Sequence, residues 1–304
     1  MKRFLLITIL LMNLTFYAEE FFVKVDGAEI FCETMGKGDP IIVIQGGPGI
    51  PHDEWVSPLL SKLAETHFII FFDHRASGRS TGEMNADTMR FDIFLNDLEA
   101  IRKSFGLEKI SLIGECWGGS LAMKYVITYP ELVDKLILLY SLPPSFEEMV
   151  EPSLEFQSRV SPYRKEMFSI KVSPEFLEGD QEAVNQYYKL TLLPHFYHPE
   201  KAEEFVRNHP ITWQTLVDRK KMVKTFIRTE CYKYFNWHNQ LQTLKHPTLI
   251  VHGDSDWNST LTAESIHKTI SNSQLVILKD CGHIAILEKP DEVFKAVRDF
   301  LDAN

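Results

Sequence analysis

Ile110-Ser111-Leu112-Ile113-Gly114-Glu115-Cys116-Trp117-Gly118-Gly119 is the stretch whose reading decides the fold. Four residues of strand pattern lead into a Gly-x-Cys-x-Gly turn, and a helix pattern, Ser120 to Tyr129, follows at once. The central side chain of such a strand-turn-helix sits on a tight bend. Small residues two positions to either side let strand and helix approach closely. The bend brings that side chain into the open at the C-terminal edge of a sheet, in front of a helix N-terminus that favours negative charge. The position suits a nucleophile, here the thiol of Cys116. A glycine-rich turn with a buried structural cysteine is the plainer alternative.

The flanking sequence supplies the sheet. Phe21–Val25 and Ala28–Cys32 read as strands joined by the hairpin signal Asp26-Gly27. Ile41–Ile44, Phe68–Phe72 and Leu136–Tyr140 are continuous apolar runs, as expected of buried parallel strands. Helical spacing lies between them at Ser57–Glu65 and Met89–Phe105. This alternation predicts an α/β fold with a mainly parallel sheet, right-handed crossovers and helices on both faces. It stops at about Pro143. From 143 to 246 the chain is rich in aromatic, charged and helix-forming residues, which predicts a helical lid over the C-terminal edge of the sheet. Thr248–His252 and Leu275–Leu278 restore the strand pattern, with helices over Leu261–Ile270 and from Pro290 to about Leu301. The expected organisation is therefore 19–142 and 247–304 as two parts of one core, with 143–246 inserted between them.

Three side chains follow three different strands: Cys116, Asp256 and His283. In open parallel sheets, chemistry gathers at the carboxyl ends of strands. The chain order nucleophile, acid, histidine is that of an α/β-hydrolase triad. His283 would deprotonate Cys116 and later protonate the leaving group, while Asp256 orients the imidazole. Asp254 is a rival acid, and Asp256 is preferred because it lies further into its loop. The oxyanion needs backbone donors. Trp117 N–H, next to the nucleophile, is one candidate, and Gly46 and Gly47 are the others.

At these residues the chain resembles the prolyl aminopeptidase (proline iminopeptidase) group of α/β-hydrolases. Gln45-Gly46-Gly47-Pro48-Gly49 is similar to its His-Gly-Gly-Pro-Gly loop. Asp73-His74-Arg75-Ala76-Ser77-Gly78-Arg79-Ser80 is similar to its Asp-Gln-Arg-Gly-x-Gly-x-Ser stretch. Gly114-Glu115-Cys116-Trp117-Gly118-Gly119 is similar to its Gly-Gly-Ser-Trp-Gly-Ser elbow. The departures are Cys116 for serine, Glu115 for glycine and Gln45 for histidine. A thiol at the elbow is similar to dienelactone hydrolase, another member of the superfamily. The resemblance implies hydrolysis through an acyl-enzyme, with lid glutamates holding the free amine of the substrate. Glu230 lies near one such position with its spacing off by one, and Glu203 and Glu204 are looser candidates. An esterase, lactonase or other acyl hydrolase or transferase is the alternative on the same fold. A catalytically inactive binding protein is a third reading, and retention of both His283 and Asp256 speaks against it.

Composition narrows the partners. A net charge of −10 over 304 residues argues against nucleic acid and anionic membranes. A small molecule or short peptide is the expected partner. The four cysteines, Cys32, Cys116, Cys231 and Cys281, make no Cys-x-x-Cys pair and no zinc spacing, so neither metal nor cofactor is expected. Lys2-Arg3, an apolar run from Phe4 to Met12 and a small residue at Ala18 predict a signal peptide over 1–18. The expected location is secreted or periplasmic, with anchoring by an uncleaved N-terminus as the alternative.

Overall fold

The computed structural model describes residues 18–47, 49–52, 60–226, 228–229 and 234–303. The strands are β1 Glu19–Val25, β2 Ala28–Met35, β3 Asp39–Ile44, β4 His67–Phe72, β5 Ile110–Glu115, β6 Val133–Leu139, β7 Thr248–Gly253 and β8 Ser273–Leu278. They form one eight-stranded sheet in the order β1-β2-β4-β3-β5-β6-β7-β8. β1 and β2 are antiparallel and meet at Val25↔Ala28, the predicted hairpin, where Gly27 takes the left-handed backbone that the turn requires. β2 also runs antiparallel to β4, and every later pairing is parallel.

Residues alternate between the two faces of the sheet because the strand period is two. Ile42, Ile44, Ile70, Phe72, Leu112 and Leu138 enter one apolar cluster. Ile41, Val43, Ile69, Phe71, Ile113 and Leu139 enter the other. Helices α1, Phe91–Ser104, and α2, Trp117–Thr128, cover the first face. α1 buries Phe91, Phe94, Leu95, Leu98 and Ile101, the residues its helical spacing placed on one side. Both faces covered is what turns parallel strands into unbroken apolar runs. The described part of the predicted 57–65 helix is a 3-10 turn, Ser61–Glu65.

Between β6 and β7 the described residues contain α3 Val150–Val160, α4 Arg164–Lys171, α5 Pro174–Leu177, α6 Gln181–Leu192, α7 Pro199–Asn208, α8 Trp213–Phe226 and α9 His238–Leu241. α10 Thr260–Thr269, α11 Ala285–Glu288 and α12 Pro290–Asp302 complete the chain. Val293, Val297 and Phe300 of α12 close the second face. Among the described residues, no helix is long and apolar enough to cross a membrane. Residues 1–17 of the expected leader lie outside them.

Successive strands after β3 change direction across the sheet. β4 lies on one side of β3 and β5 on the other. The carboxyl ends of β3 and β5 are therefore neighbours at a topological switch point, where open α/β sheets form their crevice.

Candidate active site

Cys116 stands at that switch point, between β5 and α2, with φ 53° and ψ −118°. This is strained backbone for a residue with a Cβ, of the kind that persists only when its surroundings enforce it. The surroundings are visible: Cys116 N–H donates to Leu139 O at 3.0 Å, and Cys116 O accepts from Gly119 and Leu142. Gly118 is needed because a Cβ there would run into Ile44 O.

His283 and Asp256 meet the cysteine. His283 Nε2 lies 3.1 Å from Cys116 Sγ, and its Nδ1 lies 2.9 and 3.0 Å from the two oxygens of Asp256. A carboxylate only accepts, so Nδ1 carries the proton and Nε2 faces sulfur. Burial pulls the His283 pKa down, but the Asp256 carboxylate and the Cys116 sulfur outweigh it and hold it well above the usual histidine value. Asp256 is buried, which raises its pKa. The adjoining His283 and His252 and the Asn258 N–H at 2.8 Å bring it below the ordinary aspartate value. Asp254, the rival, binds Ser255 Oγ and Cys281 N–H instead.

The histidine loop is tied to the helical insertion. His283 N–H donates to His195 O at 2.6 Å. Glu288 of α11 accepts from Gly282, Tyr197 and His198 N–H at 2.6 to 2.9 Å. Trp257 Nε1–H donates to His195 Nδ1 at 3.0 Å, and both rings pack against that of His283. Burial, with the neighbouring His283 and Arg219, drives the His195 pKa well below its ordinary value, so that ring is neutral. None of Glu288, His195 and Trp257 carries a signal that marks it in the sequence.

The glycine loop corrects one expectation. Gly46 N–H donates to Glu115 Oε2 at 2.9 Å, so it is not open to an oxyanion. The reason is the exchange of glycine for Glu115, whose buried carboxylate reaches across from the end of β5 to β3. The N–H groups of Gly47 and Trp117 have no hydrogen-bond acceptor among the described residues. Gly46 must still be glycine, because a Cβ there would stand 2.6 Å from that of Cys116. Gln45, in the position of the family histidine, donates to Phe72 O at 2.7 Å, and its own carbonyl accepts from His74 Nε2 at 3.0 Å. Burial lowers the His74 pKa to about 4, so this imidazole is a neutral donor. The 73–80 stretch is thus a clamp on the loop, with Arg75 bound to Asp97 by two hydrogen bonds.

A second correction concerns the substrate acids. Glu204 is exposed and pairs with Lys201, and Glu203 is exposed and pairs with Lys189. On α7 it is Ala202, Phe205 and Val206 that are buried, so Glu203 and Glu204 project away from the site. Glu230 lies outside the described residues. Among the described residues, no group of three His, Cys, Asp or Glu is arranged to hold a metal.

A cysteine at the switch point, a histidine loop and an acid after β7 meet on this sheet, and the chain belongs to the α/β-hydrolase family. The model of that family, described as the alpha/beta hydrolase fold, matches residues 39–290. The chain is a hydrolase similar to proline iminopeptidases. It is 29% identical over 301 residues to the proline iminopeptidase of Thermoplasma volcanium, spanning 94% of this chain and 97% of that one. It is 29% identical over 296 residues to that of Saccharolobus solfataricus, spanning 93% and 92%. The solved proline iminopeptidase of Mycobacterium smegmatis superposes with a TM-score of 0.68 at 18% identity, over 93% and 97% of the two chains. The 2-hydroxy-6-oxo-6-phenylhexa-2,4-dienoate hydrolase of Rhodococcus sp. strain RHA1 gives 0.72 at 19%, over 95% and 99%. These two structures share the fold.

Proposed function

We propose that this chain is a proline-iminopeptidase-like peptidase that works through a Cys116–His283–Asp256 triad and a thioester acyl-enzyme. The observation that carries the reading is the hydrogen-bonded line from Cys116 Sγ through His283 to Asp256. The thiol proton resides on His283 Nε2, whose raised pKa favours the imidazolium, and the Cys116 sulfur attacks the scissile carbonyl carbon as the thiolate. The carbonyl oxygen gains negative charge and is met by the N–H groups of Trp117 and Gly47. The carbon–nitrogen bond then breaks, and His283 returns the proton to the departing amine. Water, deprotonated by His283, releases the acyl group from sulfur. Asp256 keeps the imidazole in the required tautomer throughout.

The iminopeptidase assignment draws on the relatives, and it implies a free amine on the first residue of the substrate. The test compares kcat/KM on prolyl naphthylamide, its N-acetyl derivative and a neutral p-nitrophenyl ester, with Cys116→Ala as control. Acetylation is expected to cut turnover at least about tenfold, through loss of a charge-assisted contact. Cys116→Ala is expected to be inactive. Equal rates on free and blocked substrates would replace the peptidase reading with an esterase one. An active Cys116→Ala would remove the triad.

A further inference from the structure

We propose that Arg219 forms a carboxylate-binding subsite at the reaction centre, so that the preferred substrate carries a carboxylate about one residue's length from the scissile carbonyl. The proposal rests on the triad reading above and adds a substrate class to it.

Arg219 lies on α8, and α8 packs on the glycine loop. A Cβ on Gly49 would stand 3.1 Å from Arg219 Cα, and one on Gly47 would stand 3.9 Å from the guanidinium Nη2. Gly47 is also one of the two candidate oxyanion donors, and a Cβ on Gly46 before it would stand 2.6 Å from that of Cys116. The guanidinium therefore sits at the rim of the site, within a short substrate's reach of the sulfur.

Among the described residues its charge has no partner. Arg75, Arg102 and Arg159 each hold a carboxylate. Half-buried Arg219 makes no hydrogen bond or ion pair with any described residue. Asp218 beside it takes the amide of Gln214 instead, and Lys220 donates to Tyr187. The described acids of the site are committed: Asp256 to His283 and His252, Glu115 to Gly46. Arg219 also contributes to the positive field that lowers the His195 pKa, behind burial and His283. A guanidinium fork matches a carboxylate through two parallel hydrogen bonds. The C-terminal carboxylate of a dipeptide, one α-carbon beyond the scissile nitrogen, meets this demand. So does the free acid of a half-ester.

The experiment measures kcat/KM on two matched pairs, Pro-Gly against Pro-glycinamide and methyl hydrogen succinate against dimethyl succinate. Wild type, Arg219→Gln and Arg219→Lys are compared. In whichever pair is turned over, wild type is expected to prefer the acid by about tenfold or more. Arg219→Gln should bring that ratio close to one, and Arg219→Lys should keep part of it. The ratio is read within one preparation, so a smaller folded fraction cancels. Equal rates on acid and neutral partner in wild type, or an unchanged ratio in Arg219→Gln, would overturn the proposal. Anion preference in the ester pair with an inert prolyl pair would remove the peptidase reading alone; prolyl turnover without preference would remove this one alone. If neither pair reacts, succinate should slow alkylation of Cys116 in wild type and not in Arg219→Gln. Absence of protection there is equally fatal.

Discussion

The thiols of this chain occupy very different surroundings. Cys116 is half-buried beside His283, while Cys32 and Cys281 are buried. Burial, helped by nearby Asp73, pushes the Cys32 pKa up to about 12, and burial with Glu288 pushes that of Cys281 further. Thiolate is the reactive form, so these two are shielded both sterically and chemically. Iodoacetamide at neutral pH is expected to label Cys116 well before Cys32 or Cys281, with inactivation tracking that label. Mass spectrometry of peptides over time checks the order. The meeting of Cys116, His283 and Asp256 was legible as a geometry because each of the three follows a strand run and a turn. Asp256 and His283 could be picked out by where the apolar runs end. The N–H of Gly46 is taken by a side chain from the neighbouring strand, which no local pattern records. The charge of Glu204 does not tell its orientation, whereas the apolar spacing of Ala202, Phe205 and Val206 marks the buried face of α7.

At the scale of elements, the two helices over the first face are joined by Glu99. Its carboxylate accepts from Tyr125 Oη on α2 at 2.8 Å and binds Arg102 at 2.5 Å and Lys103 at 3.1 Å. Burial raises its pKa, but these donors prevail and lower it from 4.5 to about 2. A carboxylate whose folded pKa is depressed adds stability above its unfolded pKa, and that stability is lost as pH falls through the folded one. Wild type is therefore expected to exceed Glu99→Gln in urea midpoint at neutral pH, with the gap closing between pH 4.5 and about 2. A constant gap would mean that the carboxylate charge has no part in joining the helices. The Tyr125–Glu99 bond spans 26 positions between separate helices, and neither sequence pattern announces it. The helices themselves were legible from their apolar spacing, whereas their polar ties and those of Glu288 exist only after packing.

For the whole molecule, the strand-helix alternation made the sheet readable, and the described helices between β6 and β7 follow the break after Pro143. What the insertion does at the site was not readable, because Arg219 and His195 reach it only through tertiary packing. β1 begins at Glu19, next to the expected cleavage point after Ala18. A mature chain starting at Glu19 in the secreted or periplasmic fraction is expected from N-terminal sequencing. An intact Met1 in the cytosol would rule out the cleaved leader.

The insertion also imposes a schedule on synthesis. β6 ends at Leu139, and its neighbour β7 begins only at Thr248. Leu136 to Leu139 pair with Thr248 to Val251 and are fully buried once they do. A ribosome adding about 5–20 residues per second leaves that edge uncovered for roughly 5–20 seconds while the intervening helices emerge. An open apolar strand is a template for pairing with other chains. The nascent protein is thus most exposed to aggregation, and most in need of a chaperone, after six of its eight strands have been made.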